Sequence, residues 1–203
     1  AFKPLVDRIA DTDIRLQWFC CDRSTGVTDA SGNRITLIRD TQSPVAVEYQ
    51  AVKFIGTGRD NIKAGVFSGW ELGDYIYLRS EEAYMIKMEA LAHKSSAEAV
   101  TELNSFMKTR QPDYNYTFTN KADLIEEIIY QKRVEFWGEG LEYIDNRRLN
   151  IPVDRTDETW GAENNNHFSA GKFRYNQEDR PFLYQLPLSE IENNSQLSPS
   201  DQN

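Results

Sequence analysis

The strongest pattern in the chain runs from residue 77 to residue 137, where apolar positions recur at helical spacing. Leu78, Ala83, Tyr84, Ile86, Met88, Ala90 and Leu91 cover more than half of a helical circumference, which predicts a helix over 77–93 packed on two sides. A helix buried that way hides Arg79 and Glu89 only if each meets a polar partner. Ser95 with Glu98 three residues later has the spacing of a capping box, and the helix it opens, 96–109, sets Val100, Leu103 and Met107 on one stripe before Pro112. A third helix, 121–137, follows Asn120 and carries Leu124, Ile125, Ile128, Ile129 and Val134 as far as Gly138 and Gly140. A short amphipathic piece continues over 141–149. The first two helices have almost no connection between them, so they must run antiparallel. Their joint span is the roughly 34 residues of a tetratricopeptide-type pair, a unit that buries its face by stacking on neighbours.

Either side of this block the pattern is looser. Asp11 and Thr12 are placed to cap a short helix carrying Ile14, Leu16, Trp18 and Phe19, and Gly26 and Gly32 mark a loop after it. Ile35 and Leu37, then Val45, Val47 and Tyr49, alternate with polar neighbours around Pro44, which predicts two short strands. Glycines 56, 58, 65, 69 and 73 predict irregular chain until Asp74, a potential cap. From Ile151 onward Pro, Asp, Thr and Asn accumulate, as expected of a long excursion, with an edge strand at Phe168, Phe173 and Tyr175. An apolar run at Phe182, Leu183, Tyr184 and Leu186 then leads through Pro187 into a turn at Ser189, Glu190 and Ile191. The expected fold is mainly α, with helical pairs, irregular loops and minor β hairpins, in a single domain over 1–203 whose first 73 residues are loop-rich.

Composition narrows the function classes. A chain of 203 residues with 39% hydrophobic and 27% charged content can bury one substantial core, and no apolar run approaches the roughly 18 residues that cross a membrane. The net charge of −9 falls mostly on residues 76–203, which hold 14 Lys and Arg against 22 Asp and Glu, so nucleic acid and anionic lipid are poor partners. Cys20 and Cys21 are adjacent and form no disulfide framework; free thiols packed beside Trp18 and Phe19 are expected. The first residues show no export signal.

Three segments carry a resemblance to a known family. Tyr77-Leu78-Arg79-Ser80-Glu81-Glu82-Ala83-Tyr84 runs into Glu89-Ala90-Leu91-Ala92, with Leu103-Asn104 and Arg110 following. Arg133-Val134-Glu135-Phe136-Trp137-Gly138-Glu139-Gly140 precedes Tyr143, Asp145 and Arg147-Arg148. Leu186-Pro187-Leu188-Ser189-Glu190-Ile191 leads to Asn194, Leu197, Gln202 and Asn203. Together, in this order, these resemble the C-terminal part of the SusD/RagB family, best matched over 74–203. Gln131-Lys132 departs from the glutamate-arginine usual there, and Leu141-Glu142 stands where a basic residue is common. Whole family members are far longer and begin at a lipid-anchored cysteine, so the resemblance implies that this chain is a piece of such a protein, soluble by itself.

What the resemblance implies is a SusD-like fold and a surface-exposed nutrient binder of the outer membrane. Such a protein passes oligosaccharides to a SusC-like TonB-dependent transporter and touches the membrane only through the lipid anchor, which this chain lacks. Sugars offer an apolar face for aromatic rings and hydroxyls for amides and acids, so exposed aromatics amid Asn, Asp and His are the candidates. Trp160, with Asn165 and His167 in the Asn-rich excursion, comes first; Trp70, in the Gly-rich stretch, and Trp18 follow. No cofactor, metal site or catalytic group is expected. His93 reads as a helix C-terminal charge, and neither it nor His167 has a nucleophile at a diagnostic spacing. Asp154, Asp157, Glu158 and Glu163 lack the spacing of a calcium loop. The alternative is a helical-repeat scaffold for a protein partner that binds no sugar.

Overall fold

A computed structural model of the chain describes residues 2–20, 50–51, 53, 77–179 and 185–201. The strands expected near 35–49, the glycine-rich stretch, Trp70, Cys21, the Asp74 cap and the run at 182–184 lie outside the described residues. The chain divides into two compact units, Ala1–Glu139 and Gly140–Asn203.

The first unit opens with helix α1, Lys3–Asp7, which has Pro4 in its first turn, where a missing N–H costs nothing. The expected helix around Leu16 is a tight 3-10 turn, Ile14–Trp18, and its cap is Asp13, not Asp11 or Thr12. The Asp13 carboxylate accepts the Arg15 amide at 2.8 Å. Phe19 leaves the helical path for strand β1, Phe19–Cys20, which pairs antiparallel with β2, Gln50–Ala51, in the register Phe19 to Ala51.

Helices α2, Ser80–Lys94, α3, Ser96–Met107, and α4, Lys121–Glu135, pack on one another as the α-rich block read from the sequence. Two cross-contacts show that α2 and α3 are antiparallel: Tyr84 lies near Phe106, with ring centres 6.2 Å apart, while Lys87 pairs with Glu102 at 3.0 Å. Leu103 and Met107 are buried, with Ala99 beneath them. Asn120 caps α4 by accepting the amides of Ala122 at 2.8 Å and Asp123 at 3.1 Å.

Three expectations need correction here. Helix α2 starts at Ser80, because Arg79 is extended at φ −127° and ψ 147°. It buries one stripe, Met85, Met88, Glu89 and Ala92, while Tyr84 and Ile86 are about half exposed among the described residues, so it is not packed on two sides. Ser95 does precede α3, yet its side chain makes no capping hydrogen bond, and the capping box is not formed.

The second unit begins where Gly140, at φ 85°, turns the chain into α5, Leu141–Arg148. Its Asp145 is buried and holds Arg148 at 2.7 Å. Strands β3, Val153–Asp154, and β4, Arg174–Tyr175, pair antiparallel and close the excursion between them. Within it lie a one-turn helix α6, Asp157–Trp160, and a 3-10 turn, Ser169–Gly171. Phe168 stands outside the strand expected to hold it. The sequence from Leu188 forms helix α7, Leu188–Asn193, more than the turn read there.

Candidate ligand site

Two groups of polar side chains dominate the described residues, one in each unit. In the first, Glu135 is 1% exposed and takes three guanidinium groups: Arg79 at 3.1 Å, Arg110 at 3.1 Å and Arg15 at 3.4 Å. Arg79 also donates to Glu139 from Nη2 at 2.9 Å and from Nε at 3.0 Å, and Arg15 lies on Asp13 at 2.7 Å. Lys53 donates to the Glu135 and Trp137 carbonyls and to Glu139 at 2.5 Å. Burial opposes the Glu135 charge, but Arg110, Arg15 and Arg79 outweigh it and hold the carboxyl below the ordinary glutamate range. Burial pulls the Lys53 ammonium down, and Glu139 offsets only part of that. Each carboxylate of this network faces a cation, and the whole ties residues 13–15, 53, 79, 110 and 131–139 together. Its chemistry is structural.

The second group is built on the excursion between β3 and β4. The Asp154 carboxylate accepts from the Thr156 amide and hydroxyl, the Thr159 hydroxyl at 2.7 Å and Arg174 at 2.6 Å. Burial works against its charge, yet the hydrogen bonds from Thr159, Thr156 and Arg174 hold the carboxyl down at about 2. That hub fixes the start of α6, at whose end Trp160 donates its indole N–H to the Asp154 carbonyl at 2.9 Å. Gly161 then turns the chain at φ 77° and ψ 139°, a conformation only glycine adopts cheaply. Trp160 is thereby held by its polar edge and remains 37% exposed.

The same excursion carries polar groups of the kinds that meet hydroxyls. Asp157 is exposed, and Lys172 and Asn165 lower its carboxyl. Asn164 and Asn166 are exposed, and His167 is half-buried. Burial and the charges of Arg155 and Lys172 push His167 below its ordinary value, so the imidazole is neutral at neutral pH and can both donate and accept. Asp154 and Asp157 are matched by Arg174 and Lys172, which leaves them poor calcium ligands. Among the described residues no group of three or more His, Cys, Asp or Glu side chains could hold a metal, and no helix is long and apolar enough to cross a membrane.

The family model described as the SusD family matches residues 49–203. The chain belongs to the SusD family. Its structure is similar to that of a SusD-like carbohydrate binding protein from Bacteroides vulgatus, with a TM-score of 0.56 over 95% of this chain and 40% of that one. At 20% identity this is a likeness of fold, and the chain spans 40% of that protein's length. No curated protein matches it.

Against the SusD fold, the residues singled out from sequence separate clearly. Trp160 and His167 belong to the excursion as expected. Asn165 is also there but is 6% exposed: its amide donates to the Arg155 carbonyl at 2.9 Å and to Asp157 at 2.8 Å, and it accepts from the His167 amide. It builds the loop. Trp18 belongs to the other unit, half-buried against the cluster of Val6, Ile9, Leu16, Phe19, Tyr130 and Val134, with the Lys53 ammonium 4.7 Å from its ring centre. Phe168, which the sequence placed in an edge strand, is exposed instead. It is 75% exposed within the excursion and stands, extended, just before the 3-10 turn Ser169–Gly171, with its ring edge near Gly171. A lone Phe between His167 and Ser169 carried no periodicity to betray this.

Proposed function

We propose that this chain is part of a cell-surface nutrient binder of the outer membrane, which captures oligosaccharides and delivers them to a SusC-like TonB-dependent transporter. Attachment to the membrane is through a lipid anchor. The observation that carries the reading is the Trp160 excursion, where an aromatic ring is pinned by its indole N–H in a stretch that also carries Asp157, Asn164, Asn166 and His167. A pyranose needs that combination: a rigid apolar surface for its C–H face and hydrogen-bonding groups for its rim. Membership of the SusD family supports it, as does the shared fold with a carbohydrate binding protein. We place Trp160, His167 and Phe168 at the sugar and Asn165 behind them. The protein binds and does not turn over its ligand.

The test is a glycan panel, including starch, xylan, mannan and mucin oligosaccharides, screened against the chain and against Trp160→Ala. Retention of at least one glycan, weakened about tenfold or more by the substitution, is the expected result. Retention of none favours the protein-binding scaffold; equal retention by both forms removes Trp160 from the site; a hydrolysed oligosaccharide makes the protein an enzyme.

A further inference from the structure

The cavity in the Ala1–Glu139 unit lined by Tyr114, Tyr116 and Tyr130 has polar groups matched to one another, with Glu127 taking both Arg8 and Tyr114. The hairpin that closes the Trp160 excursion is not matched in this way.

In the register of β3 and β4, Val153 stands opposite Tyr175 and Asp154 opposite Arg174. The Arg155 amide donates to the Phe173 carbonyl at 2.8 Å, which carries the pairing one residue further. Side chains along paired strands alternate between two faces, so Asp154 and Arg174 share one face while Val153, Arg155, Phe173 and Tyr175 share the other. The first face neutralises itself, since Arg174 lies 2.6 Å from Asp154. The second is aromatic. The Phe173 and Tyr175 ring centres are 4.7 Å apart, and the Arg155 guanidinium carbon lies 5.0 Å from the centre of Phe173.

The cations of the excursion therefore differ. Lys172 takes Asp157 at 2.8 Å and Arg174 takes Asp154, whereas the half-buried Arg155 side chain meets neither a carboxylate nor a hydrogen-bond acceptor among the described residues. A guanidinium stacked by its face on a ring still has its N–H edge to offer, and that edge is a fork shaped for two parallel bonds to one carboxylate. Its backbone is already fixed: Phe173 takes the amide, and Asn165 donates to the carbonyl at 2.9 Å. The preceding carbonyl, of Asp154, holds the Trp160 indole at 2.9 Å. Little ordering is left for a ligand to impose. The charge of Arg155 is also felt at His167, beside the exposed Phe168.

An unmatched guanidinium selects an anion, and the surrounding field limits how charged that anion can be. Glu158 and Glu163 are exposed and face no cation among the described residues, and the whole chain carries a net charge of −9. A ligand with many negative charges is repelled by that field. One carboxylate on an otherwise neutral sugar satisfies both conditions.

We propose that the Trp160 excursion takes an acidic sugar, a uronic acid residue, whose single carboxylate is held by both arms of the Arg155 guanidinium. This rests on the reading of the excursion as the sugar site and adds the class of sugar it selects.

The test is titration of the isotope-labelled 203-residue chain with methyl glucuronoside and methyl galacturonoside, each beside its neutral partner, methyl glucoside or methyl galactoside, followed by amide NMR. Within each pair the carboxylate is the sole difference. At least one uronoside should shift amides of 153–175 and bind about tenfold tighter than its neutral partner. Arg155→Gln should bring that pair to within about twofold by removing the charge-assisted bonds, with the affinity of the neutral partner unchanged. Arg155→Lys keeps the charge and the stem without the fork and should retain a smaller preference; an unchanged one overturns the two-armed contact. Trp160→Ala should weaken acid and neutral forms alike, which separates the two readings. Equal binding of both members of each pair, a preference that survives Arg155→Gln, or tighter binding of glucose 6-sulfate than of glucuronoside each overturns the proposal. If neutral sugars respond and lose that response in Trp160→Ala while uronosides bind no tighter, the sugar site stands and its acidic preference falls. Silence from every glycoside overturns the acidic-sugar site, and the oligosaccharide panel still judges Trp160.

Discussion

Glu135 and Asp154 are both carboxylates encircled by donors, and they do different jobs because their donors come from different distances along the chain. Glu135 takes Arg15, Arg79 and Arg110, which lie 120, 56 and 25 residues away. Asp154 takes Thr156 and Thr159, two and five residues on, and reaches only as far as Arg174. The first arrangement closes the tertiary structure of a helical unit; the second sets the shape of one loop. A buried charge that gathers distant partners should unfold a unit when it is lost, whereas a local hub should release only its own segment.

The largest expected effect follows from removing the distant hub. Glu135→Ala leaves three arginines in a buried setting without their shared anion, and the loss should be about 3–5 kcal/mol in urea unfolding. A cost under about 1 kcal/mol would mean that solvent reaches these groups and that the comparison is wrong. Asp154→Ala is expected to cost about 2–3 kcal/mol of local stability, the scale of lost hydrogen bonds to a charged acceptor. Native-state hydrogen exchange should show protection falling across 153–175 while the amides of α4 keep theirs; loss of protection in α4 would make Asp154 a global hub as well. Gly161→Ala comes next, at about 1–2 kcal/mol, since an added Cβ sits at an unfavourable backbone angle and 2.7 Å from the Glu163 carboxylate. The flexible Glu163 chain can swing away, so Glu163→Ala in the same background should relieve little of the cost.

Acid sharpens the contrast without any mutation. Asp154 has its folded value at about 2, below the ordinary 3.8, so its contribution is complete above about pH 4 and is lost as pH falls through 2. Glu135, also held below its ordinary 4.5, has the same sign. Carboxyl carbon NMR should find Asp154 titrating near 2, with the loop amides protected at pH 4 and released below it. Titration at the ordinary aspartate value would show that Thr156, Thr159 and Arg174 do not hold it.

The three long helices were legible because their signals are local. Predicted at 77–93, 96–109 and 121–137, they stand at 80–94, 96–107 and 121–135, and Asn120 caps the third. The boundary that moved most, at Arg79, moved for a tertiary reason: its guanidinium reaches Glu135 and Glu139, and the backbone extends to allow it. Gln131-Lys132 departs from the family's usual glutamate-arginine, yet Gln131 accepts from Arg15 and donates to Glu127, joining the network as a neutral bridge. In the excursion, residue types singled out Trp160 and Asn165 together but could not show which side chain turns inward. Asn165 and Phe168 exchanged the roles their composition suggested, the amide turned inward and the phenylalanine outward.

The sequence by itself determined the helical block, the irregular excursion and the family, because each depends on spacing or on short ordered motifs that survive without coordinates. Tertiary structure alone decided which arginines share Glu135, that Trp18 packs under Lys53, and that Tyr114, Tyr116 and Tyr130 line one cavity. Those facts rest on pairings between residues far apart in the chain, and periodicity and motif spacing describe only neighbours.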